Sequence, residues 1–408
     1  MRVLLSTIGS RGDVQPVVAL AAQLKALGQE AHLCAPPDFR EQIEALGIPF
    51  TPVGPELRST GKANPAAAPP TPEQRRQMIE GTVAAQLAAL TPAARGCDVI
   101  LAGGYLVVAA RTVAEQLGIR YVMASYSPNA LPSPHHAPPV YPMLGQTPAD
   151  GSVDNRTLWE QDARRWNDSW GAALSSLRVS VGLAPVTDVR SHMLTEKPWL
   201  AADPTLAPWP ATADLGVVQT GAWILPDERP LSAELEAFLA AGEPPVYFGF
   251  GSIRAPQDLS QNMIQAARAL GRRAIVLRGW ADLALLDDAP DCLSIGEVNQ
   301  QALFQRVAAA VHHGGAGTTT AAARAGAPQV VIPQHFDQQY WAQRVGDLGI
   351  GTAHAPGAPT ADSLTEALRH ALQPDVAVRA RQIAGAVRTD GAKVAAQRLI
   401  SVISGSAV

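Results

Sequence analysis

Cysteine is scarce in this 408-residue chain, which contains only Cys34, Cys97 and Cys292. Their spacing fits neither a disulfide framework nor a zinc site, so we expect buried, unpaired thiols. Basic residues are not in excess either, because 32 lysines and arginines are set against 36 acidic residues, for a net charge of -4. This balance argues against the basic surface of a nucleic-acid-binding protein.

Long hydrophobic runs are also missing. No stretch of about 18 apolar residues occurs, so no transmembrane helix is predicted. The N-terminal stretch MRVLLSTIGSRGD reaches a polar turn too early for a secretory signal. We therefore expect a soluble, cytoplasmic protein.

Several catalytic signatures are absent. The chain has no GxSxG nucleophile elbow, no HExxH motif and no CxxC pair. The stretch GSRGD lacks the spacing and the third glycine of the GxGxxG dinucleotide fingerprint. A dinucleotide-dependent dehydrogenase is therefore disfavoured.

Short β-like runs alternate with helix-like segments along most of the chain. RVLLS, EAHLCAP, CDVILAG and RYVMAS are typical of buried strands, and apolar residues at helical spacing follow the first three. The alternation pauses in the proline-rich stretch LAADPTLAPWPATADLGVVQTGAWILPDERPL, which we interpret as a linker, and then restarts. Because strand–helix alternation predicts a parallel sheet covered on both faces, we predict two doubly wound α/β domains with a boundary near residues 205–225.

Two proline-rich loops interrupt the first half, at Pro52–Pro72 and Ser127–Asp154. Loops of this length inside a compact domain are more often functional or mobile than decorative. His135 and His136 lie in the second loop and are either solvated or part of an acceptor site. Further candidates for the acceptor side stand at the end of the strand RYVMAS, namely Ser125 and Tyr126.

The strongest functional signal is HHGGAGTTTAAARAG, which starts at His312 directly after the apolar run VAAAV. Glycines let a backbone approach a ligand, and the N-terminus of a helix offers unpaired amides and a partial positive charge. A histidine ring and threonine hydroxyls add further hydrogen-bonding groups. We predict a diphosphate site built from His313, Gly314, Gly315, Ala316, Gly317 and Thr318. The alternative is a tight structural turn.

Other strand ends in the second half add candidates for a nucleotide sugar. Gly251 and Ser252 end the strand PPVYFGFGSI and form either a phosphate contact or an ordinary turn. In RGW, which starts at Arg278, the ring of Trp280 offers a flat face for a nucleobase, unless it is simply a packed aromatic. The backbone of Val298 is placed to read the edge of the base.

A carboxylate and an amide begin a later helix, at Asp337 and Gln338. These groups suit sugar hydroxyls, and the alternative for Asp337 is a helix N-cap. The acidic stretch DDAPD, at 287–291, follows helix-like residues, and we expect no metal there.

The corresponding turn of the first half is IGSRGDVQP, at residues 8–16. Gly9 and Gly12 loosen the turn, and Arg11 is cationic. Asp13 stands just before the predicted helix and is either its N-cap or a general base that faces a cleft between the domains.

Several motifs together resemble those of bacterial glycopeptide-antibiotic glycosyltransferases. They are GSRGDVQP, PWLAADP, VQTGAWILPDERPL, GFGS, RGW, GEVN, HHGGAGT and the Asp–Gln pair. These are inverting enzymes of the GT-B fold, related to the macrolide and plant secondary-metabolite glycosyltransferases. The resemblance spans nearly the whole chain and is weakest at residues 55–80 and 135–165, where this family shapes its acceptor pocket.

The resemblance implies a role for each matched position. Asp13 is the expected catalytic base, and Ser10, Arg11 and Gly12 form the turn that approaches the donor phosphate. Trp280 and Val298 are expected to bind the base. The 313–318 segment is expected to bind the diphosphate, and the Asp–Gln pair at 337–338 the donor sugar.

The implied reaction transfers a hexose from a nucleoside diphosphate sugar, with UDP favoured over dTDP, to a hydroxyl of a heptapeptide aglycone or pseudoaglycone. No cofactor and a monomeric enzyme are expected. The implied domains are an acceptor domain at 1–210, a nucleotide-sugar domain at 211–385 and a C-terminal helix, at 386–408, that packs back on the first domain. Alternatives are transfer to a macrolide, polyketide or lipid, a GT-B sugar-nucleotide epimerase, or a two-domain sugar-binding protein.

Overall fold

The computed structural model describes residues 1–60, 71–140, 151–210, 215–251, 259–280, 283–355 and 358–405. Within these ranges the chain forms two parallel sheets with helices on both faces. The predicted pair of doubly wound α/β units is therefore confirmed.

The sheet of the first half has seven strands among the described residues, in the order β3-β2-β1-β4-β5-β6-β7. They are β1 (Arg2–Thr7), β2 (Glu30–Ala35), β3 (Phe50–Pro52), β4 (Val99–Gly103), β5 (Arg120–Ser125), β6 (Trp199–Leu200) and β7 (Val218–Gln219). Every pairing is parallel. The central strands are buried on both faces, which explains their continuous apolar runs.

The helices of this half are α1 (Arg11–Ala26), α2 (Arg40–Ala45), α3 (Leu57–Thr60), α4 (Pro72–Ala94), α5 (Ala110–Leu117), α6 (Asn155–Trp166), α7 (Ala172–Ser180) and α8 (Val189–Leu194). A π-helical turn at Asn167–Gly171 joins α6 to α7. Helix α1 packs on one face of the sheet, and α4 and α5 pack on the other. Residues 155–180, which include Trp159, Trp166 and Trp170, are thus continuously helical.

The linker prediction is wrong for two short stretches. Trp199–Leu200 and Val218–Gln219 add the strands β6 and β7 to the edge of the first sheet. Trp199 stands just before the predicted linker, which begins at Leu200, and is buried in the core of that domain, where Val218 also packs. Burial of apolar side chains thus outweighs the proline-rich character of the linker. The first sheet thus extends to Gln219.

The second sheet has the order β10-β9-β8-β11-β12-β13. Its strands are β8 (Val246–Gly249), β9 (Ala274–Leu277), β10 (Cys292–Ile295), β11 (Ala309–His312), β12 (Gln329–Val331) and β13 (Gly351–Ala353). Its helices are α9 (Ala233–Ala240), α10 (Leu259–Ala269), α11 (Gln300–Leu303), α12 (Ala316–Ala325), α13 (Gln338–Asp347), α14 (Ala361–Ala371) and α15 (Pro374–Ala384). Short 3-10 turns lie at Pro37–Phe39, Pro128–Ala130 and Phe304–Arg306.

The last helix, α16 (Gly391–Ser404), returns to the first domain and packs on α1. The crossing segment is tied there by the carboxylate of Asp203, which is fully buried and accepts a 2.8 Å hydrogen bond from the backbone N–H of Arg388. The backbone at Gly391 crosses directly over the backbone at Gly221, so that a Cβ on Gly391 would lie 2.4 Å from the carbonyl carbon of Gly221. Only glycine allows so close an approach.

The three cysteines are buried and free, as predicted. Among the described residues, no helix has the length and apolar character needed to cross a membrane.

Replacing Leu399 with alanine should destabilise the protein, because this fully buried side chain of α16 packs into the core that contains α1. Large-to-small changes of this kind cost about 2–5 kcal/mol. Thermal unfolding followed by circular dichroism measures the loss. Val378→Ala is the matched control, since Val378 is 46% exposed on α15, and an equal fall in Tm for both variants would contradict the packing of α16.

Candidate active site

Both sheets bring their functional residues to the point where the strand order reverses. In the first sheet, β1 lies between β2 and β4, and in the second, β8 lies between β9 and β11. Helices then leave the two sides of the switch point in opposite directions, which opens a crevice at the carboxyl ends of the strands. The turns after β1 and β4, and those after β8 and β11, line these two crevices.

Asp13 lies in the first turn of α1, directly after β1. The N-cap of the helix is Ser10, and Asp13 caps the helix from the N3 position of a capping box rather than as the N-cap itself. Its Oδ2 accepts hydrogen bonds from the backbone N–H and the hydroxyl of Ser10, at 2.8 and 3.3 Å. Gly9 leaves room for this contact, since a Cβ there would lie 2.2 Å from Oδ2. No described residue donates a hydrogen bond to the other oxygen, Oδ1.

The Asp13 carboxyl is electrostatically unusual. Burial, followed by the charge of Asp337 from the second domain, raises the pKa of Asp13 to about 6 against the lowering effect of the Ser10 hydrogen bonds. Burial likewise raises the pKa of Asp337 to about 6. The charge of a second-domain carboxyl thus acts on Asp13, and the raised pKa of both groups is of a kind common at catalytic sites.

The backbone of Asp13 is held by a tyrosine that the sequence alone does not connect with it. The hydroxyl of Tyr126 donates a 3.0 Å hydrogen bond to the backbone carbonyl of Asp13. This approach needs Gly103 at the end of β4, where a Cβ would lie 2.2 Å from the tyrosine oxygen. Next to it, a Cβ on Gly104 would lie 3.7 Å from Oδ1 of Asp13. The adjacent glycines were the available signal in the sequence.

In the second domain, the turn from β11 into α12 is held by the first of the paired histidines. His312 is fully buried, its Nδ1 accepts the N–H of Gly314 at 3.0 Å, and its Nε2 lies 2.9 Å from the side-chain oxygen of Gln329. Gly314 has φ +89°, and a Cβ there would clash with Val331 at 2.6 Å. His312 and Gly314 thus fix the loop from which the helix begins.

His313 faces the same turn without a protein partner for its Nδ1, which is buried. Burial, followed by the neighbouring His312, lowers the pKa of His313 to about 3, so its ring is neutral at pH 7. The N-cap of α12 is Gly315. The amides of the first helical residues, 316–318, have no acceptor within the helix.

The three threonines after this turn are not equivalent. Thr319 and Thr320 are buried, and the hydroxyl of Thr319 donates to the carbonyl of Gly315 at 3.0 Å. Thr318 is half-buried and remains next to the helix N-terminus, where it can contribute a hydroxyl.

The end of β8 meets both neighbouring strand ends. The carbonyl of Gly251 accepts a 2.9 Å hydrogen bond from the N–H of Trp280, and a Cβ on Gly251 would lie 3.4 Å from the His313 ring. Gly279 makes room for that carbonyl, because a Cβ there would lie 2.5 Å from it. Ser252 lies outside the described residues. The structure therefore places Gly251, Trp280 and His313 side by side.

Arg278 and Val298 lie at the ends of β9 and β10. The backbone N–H of Arg278 donates to the carbonyl of Ile295 at 3.0 Å, and its side chain is exposed. Val298 is half-buried and packs on the apolar cluster under α11 and α12.

Asp337 and Gln338 begin α13, as the sequence predicts. Asp337 is the N-cap by position, but its side chain makes no capping bond and instead accepts the indole N–H of Trp341 at 2.9 Å. Gln338 is buried, and its side-chain oxygen accepts the backbone N–H groups of Gln334 and His335. The side-chain oxygen of Gln338 thus holds the loop that contains Gln334 and His335. Its amide nitrogen remains as the group that can donate a hydrogen bond to a sugar hydroxyl.

Among the described residues, ion pairs and a short backbone bridge join the domains across the cleft. Arg11 forms an ion pair with Glu297 at 3.0 Å. Arg58 lies 3.6 Å from the same carboxylate. Val140 and Phe336 form an isolated antiparallel bridge.

The residues expected on the acceptor side differ in their exposure and in their contacts. The hydroxyl of buried Ser125 donates to the carbonyl of Ser127 at 3.0 Å. His135 is exposed, but the solvated alternative is wrong for His136, which is half-buried against the rings of Trp159 and Trp209. Aromatic packing outweighs hydration of its ring, and the same burial lowers its pKa.

Two aspartates of the acidic stretch DDAPD form ion pairs with one arginine. The guanidinium of Arg268 donates to the carboxylates of Asp287 and Asp291 at 2.8 Å. The described residues contain no group of three or more histidine, cysteine or acidic side chains arranged to hold a metal ion.

Comparison with known proteins agrees with this architecture. The model for the glycosyltransferase family 28 N-terminal domain matches residues 3–133, and that for the erythromycin biosynthesis protein CIII-like C-terminal domain matches residues 262–395. The solved structure of the glycotransferase of kitacinnamycin has a TM-score of 0.72 at 20% identity, covering 98% of each chain. The fold is that of the GT-B glycosyltransferases.

Three relatives from Amycolatopsis orientalis cover 99% of this chain and 98% of their own length. Glycosyltransferase GtfE is 52% identical, vancomycin aglycone glucosyltransferase 50% and dTDP-epi-vancosaminyltransferase 47%. The chain is thus a glycosyltransferase and belongs to the family of bacterial glycopeptide-antibiotic glycosyltransferases.

Gly9→Ala should lower the rate of glycosyl transfer, because a Cβ at Gly9 displaces the Asp13 carboxylate. The positive φ of Gly9 adds backbone strain, so some loss of Tm is expected as well. Gly118→Ala is the matched control, since Gly118 has φ +65° but open space around its Cβ position. Steady-state kinetics should show loss of kcat for Gly9→Ala only, and an equal kcat in both variants would contradict the steric argument.

Proposed function

We propose that this enzyme transfers a hexose from a nucleoside diphosphate sugar to a phenolic or benzylic hydroxyl of a glycopeptide aglycone or pseudoaglycone, with inversion at the anomeric carbon. It acts in the cytoplasm as a monomer and needs no cofactor besides the sugar nucleotide. The observation that carries the proposal is the Asp13 carboxyl, whose raised pKa and half-buried position in the cleft suit a general base.

The donor is held by the second domain in this proposal. The N-terminus of α12, with the ring of His313, binds the diphosphate, and the half-buried ring of Trp280 stacks on the nucleobase. Asp337 and the amide nitrogen of Gln338 contact sugar hydroxyls. UDP is favoured because the intact GGAG with the Asp–Gln pair resembles UDP-hexose users, while a 47% identical relative named for a dTDP-sugar keeps dTDP possible.

Asp13 serves as the base. Its Oδ1, which accepts no hydrogen bond from the described residues, takes the hydroxyl proton of the acceptor while the acceptor oxygen bonds to the anomeric carbon. The bond from that carbon to the diphosphate breaks, and its electron pair leaves on the diphosphate oxygen. A phenol has a pKa near 10, about four units above that of Asp13, so full proton transfer before attack costs about 5 kcal/mol. With an ordinary aspartate the cost is about 8 kcal/mol. Burial of Asp13 therefore lowers the barrier, and the proton moves as the new bond forms.

The leaving group is stabilised from the other side of the cleft. The negative charge that develops on the leaving diphosphate is stabilised by hydrogen bonds from the backbone amides of residues 316–318 and from the hydroxyl of Thr318. His313, neutral at pH 7, donates one ring N–H rather than a positive charge.

Product analysis tests the function directly. The purified enzyme is incubated with glycopeptide aglycones and pseudoaglycones and with UDP- or dTDP-hexoses, and products are detected by mass. We expect an increase of one hexose on the acceptor. Conversion of the sugar nucleotide without any acceptor would favour the epimerase alternative, and glycosylation of macrolide, polyketide or lipid acceptors alone would reject the glycopeptide assignment.

The pH profile tests the role of Asp13. Because the base works when deprotonated, kcat/KM should fall as pH drops below about 6 and be level above it. Asp13→Asn should lower the rate about 10²–10⁴-fold, remove this acid limb and leave donor affinity unchanged.

Asp337→Asn is the comparison variant for this profile. It removes the charge that raises the pKa of Asp13, so its acid limb should move to lower pH. An unchanged rate in Asp13→Asn would remove Asp13 from the mechanism.

A further inference from the structure

A cation of the first domain covers the aromatic ring at the nucleotide end of the second. The guanidinium carbon of Arg58 lies 5.9 Å from the ring centroid of Trp280. We propose that Arg58 is a nucleobase clamp, so that the base of the donor lies between the Trp280 indole and the Arg58 guanidinium. This inference rests on the proposed function, in which Trp280 faces the base.

The backbone of Arg58 is fixed in place. The N–H groups of Leu57 and Arg58 donate to the carboxylate of Asp38 at 2.8 and 3.0 Å. Asp38 itself lies in the 3-10 turn that follows β2, at the carboxyl edge of the first sheet. The start of α3 is therefore anchored to the same sheet edge as Asp13.

The side chain of Arg58, by contrast, is free to adjust. It is 66% exposed, and its partner Glu297, at 3.6 Å, is 55% exposed. Exposed ion pairs contribute little to stability. Glu297 also pairs with Arg11 at 3.0 Å, so it retains a cationic partner when Arg58 shifts.

The spacing is close to that of a stacked sandwich. Stacked bases are about 3.4 Å apart, so a base between two planar groups needs about 7 Å. The guanidinium carbon lies 5.9 Å from the centroid of the Trp280 ring, about 1 Å less than this separation. Arginine suits this role because its planar, weakly hydrated group stacks on aromatic faces, whereas the lysine ammonium is a compact, strongly hydrated charge.

A clamp of this kind acts on the nucleoside and leaves the diphosphate site alone. Donor recognition is then divided between the domains, because the second domain supplies the Trp280 indole on one side of the base and the first domain supplies the Arg58 guanidinium on the other. Binding of the base thereby favours approach of the two domains.

Equilibrium binding without acceptor tests the clamp. Calorimetry measures the Kd of UDP and dTDP, of the nucleoside of whichever binds more tightly, and of inorganic pyrophosphate. For Arg58→Ala we expect about fivefold weaker binding of the nucleotide and nucleoside and unchanged binding of pyrophosphate. Arg58→Lys should resemble Arg58→Ala.

Arg40→Ala is the matched control. Arg40 lies 4.7 Å from the centroid of the Phe50 ring and pairs with Glu44 at 2.9 Å, as an exposed cation on an aromatic ring with no part in the site. All three ligands should bind this variant as they bind the wild type.

Three outcomes separate the explanations. Nucleoside binding by Arg58→Ala that equals or exceeds that of the wild type would overturn the clamp, because Arg58 would then only cover the indole. Equal weakening for nucleoside and pyrophosphate would also overturn it, since Arg58 would act on phosphate. A wild-type enzyme that binds no nucleoside diphosphate would overturn the proposed function itself, and the clamp with it.

Discussion

The partial burial of one carboxylate organises the first half of the site. Asp13 follows β1, and its carboxylate is held by the backbone N–H of Ser10. It lies against Gly9, where any side chain would displace the carboxylate. Burial and the charge of Asp337 together outweigh these hydrogen bonds and raise the pKa of Asp13 to about 6. The geometry of the cleft and the proposed base chemistry both depend on that balance.

The proposed diphosphate site of the second domain uses neutral side chains. His312 and His313 have pKa values lowered to about 4 and about 3 by burial, so neither brings a positive charge at pH 7. His312 instead orients the glycine turn, and His313 presents a ring beside Gly251. An anion is attracted there mainly by the amides and the dipole of α12.

The domains are connected unevenly. On the side of the chain crossings, buried Asp203 and the contact between Gly221 and Gly391 form a dense, dehydrated connection. At the mouth of the cleft, Arg11 and Arg58 reach Glu297 through exposed ion pairs that are weak in water. These ion pairs therefore add less to the connection between the domains than the buried contacts at the crossings do.

The sequence by itself determined the αβ alternation, the two parallel sheets and the strand-end turns that carry Asp13 and His313, because apolar periodicity and glycine-rich turns act locally. It missed β6 and β7, whose few residues become strands only when an existing sheet edge pairs with them. Only the tertiary structure decided that the charge of Asp337 acts on Asp13, that the Gln338 oxygen is committed to its own loop, and that Arg58 lies over Trp280. These relations join residues far apart in the chain, and their distances follow from how the two domains pack.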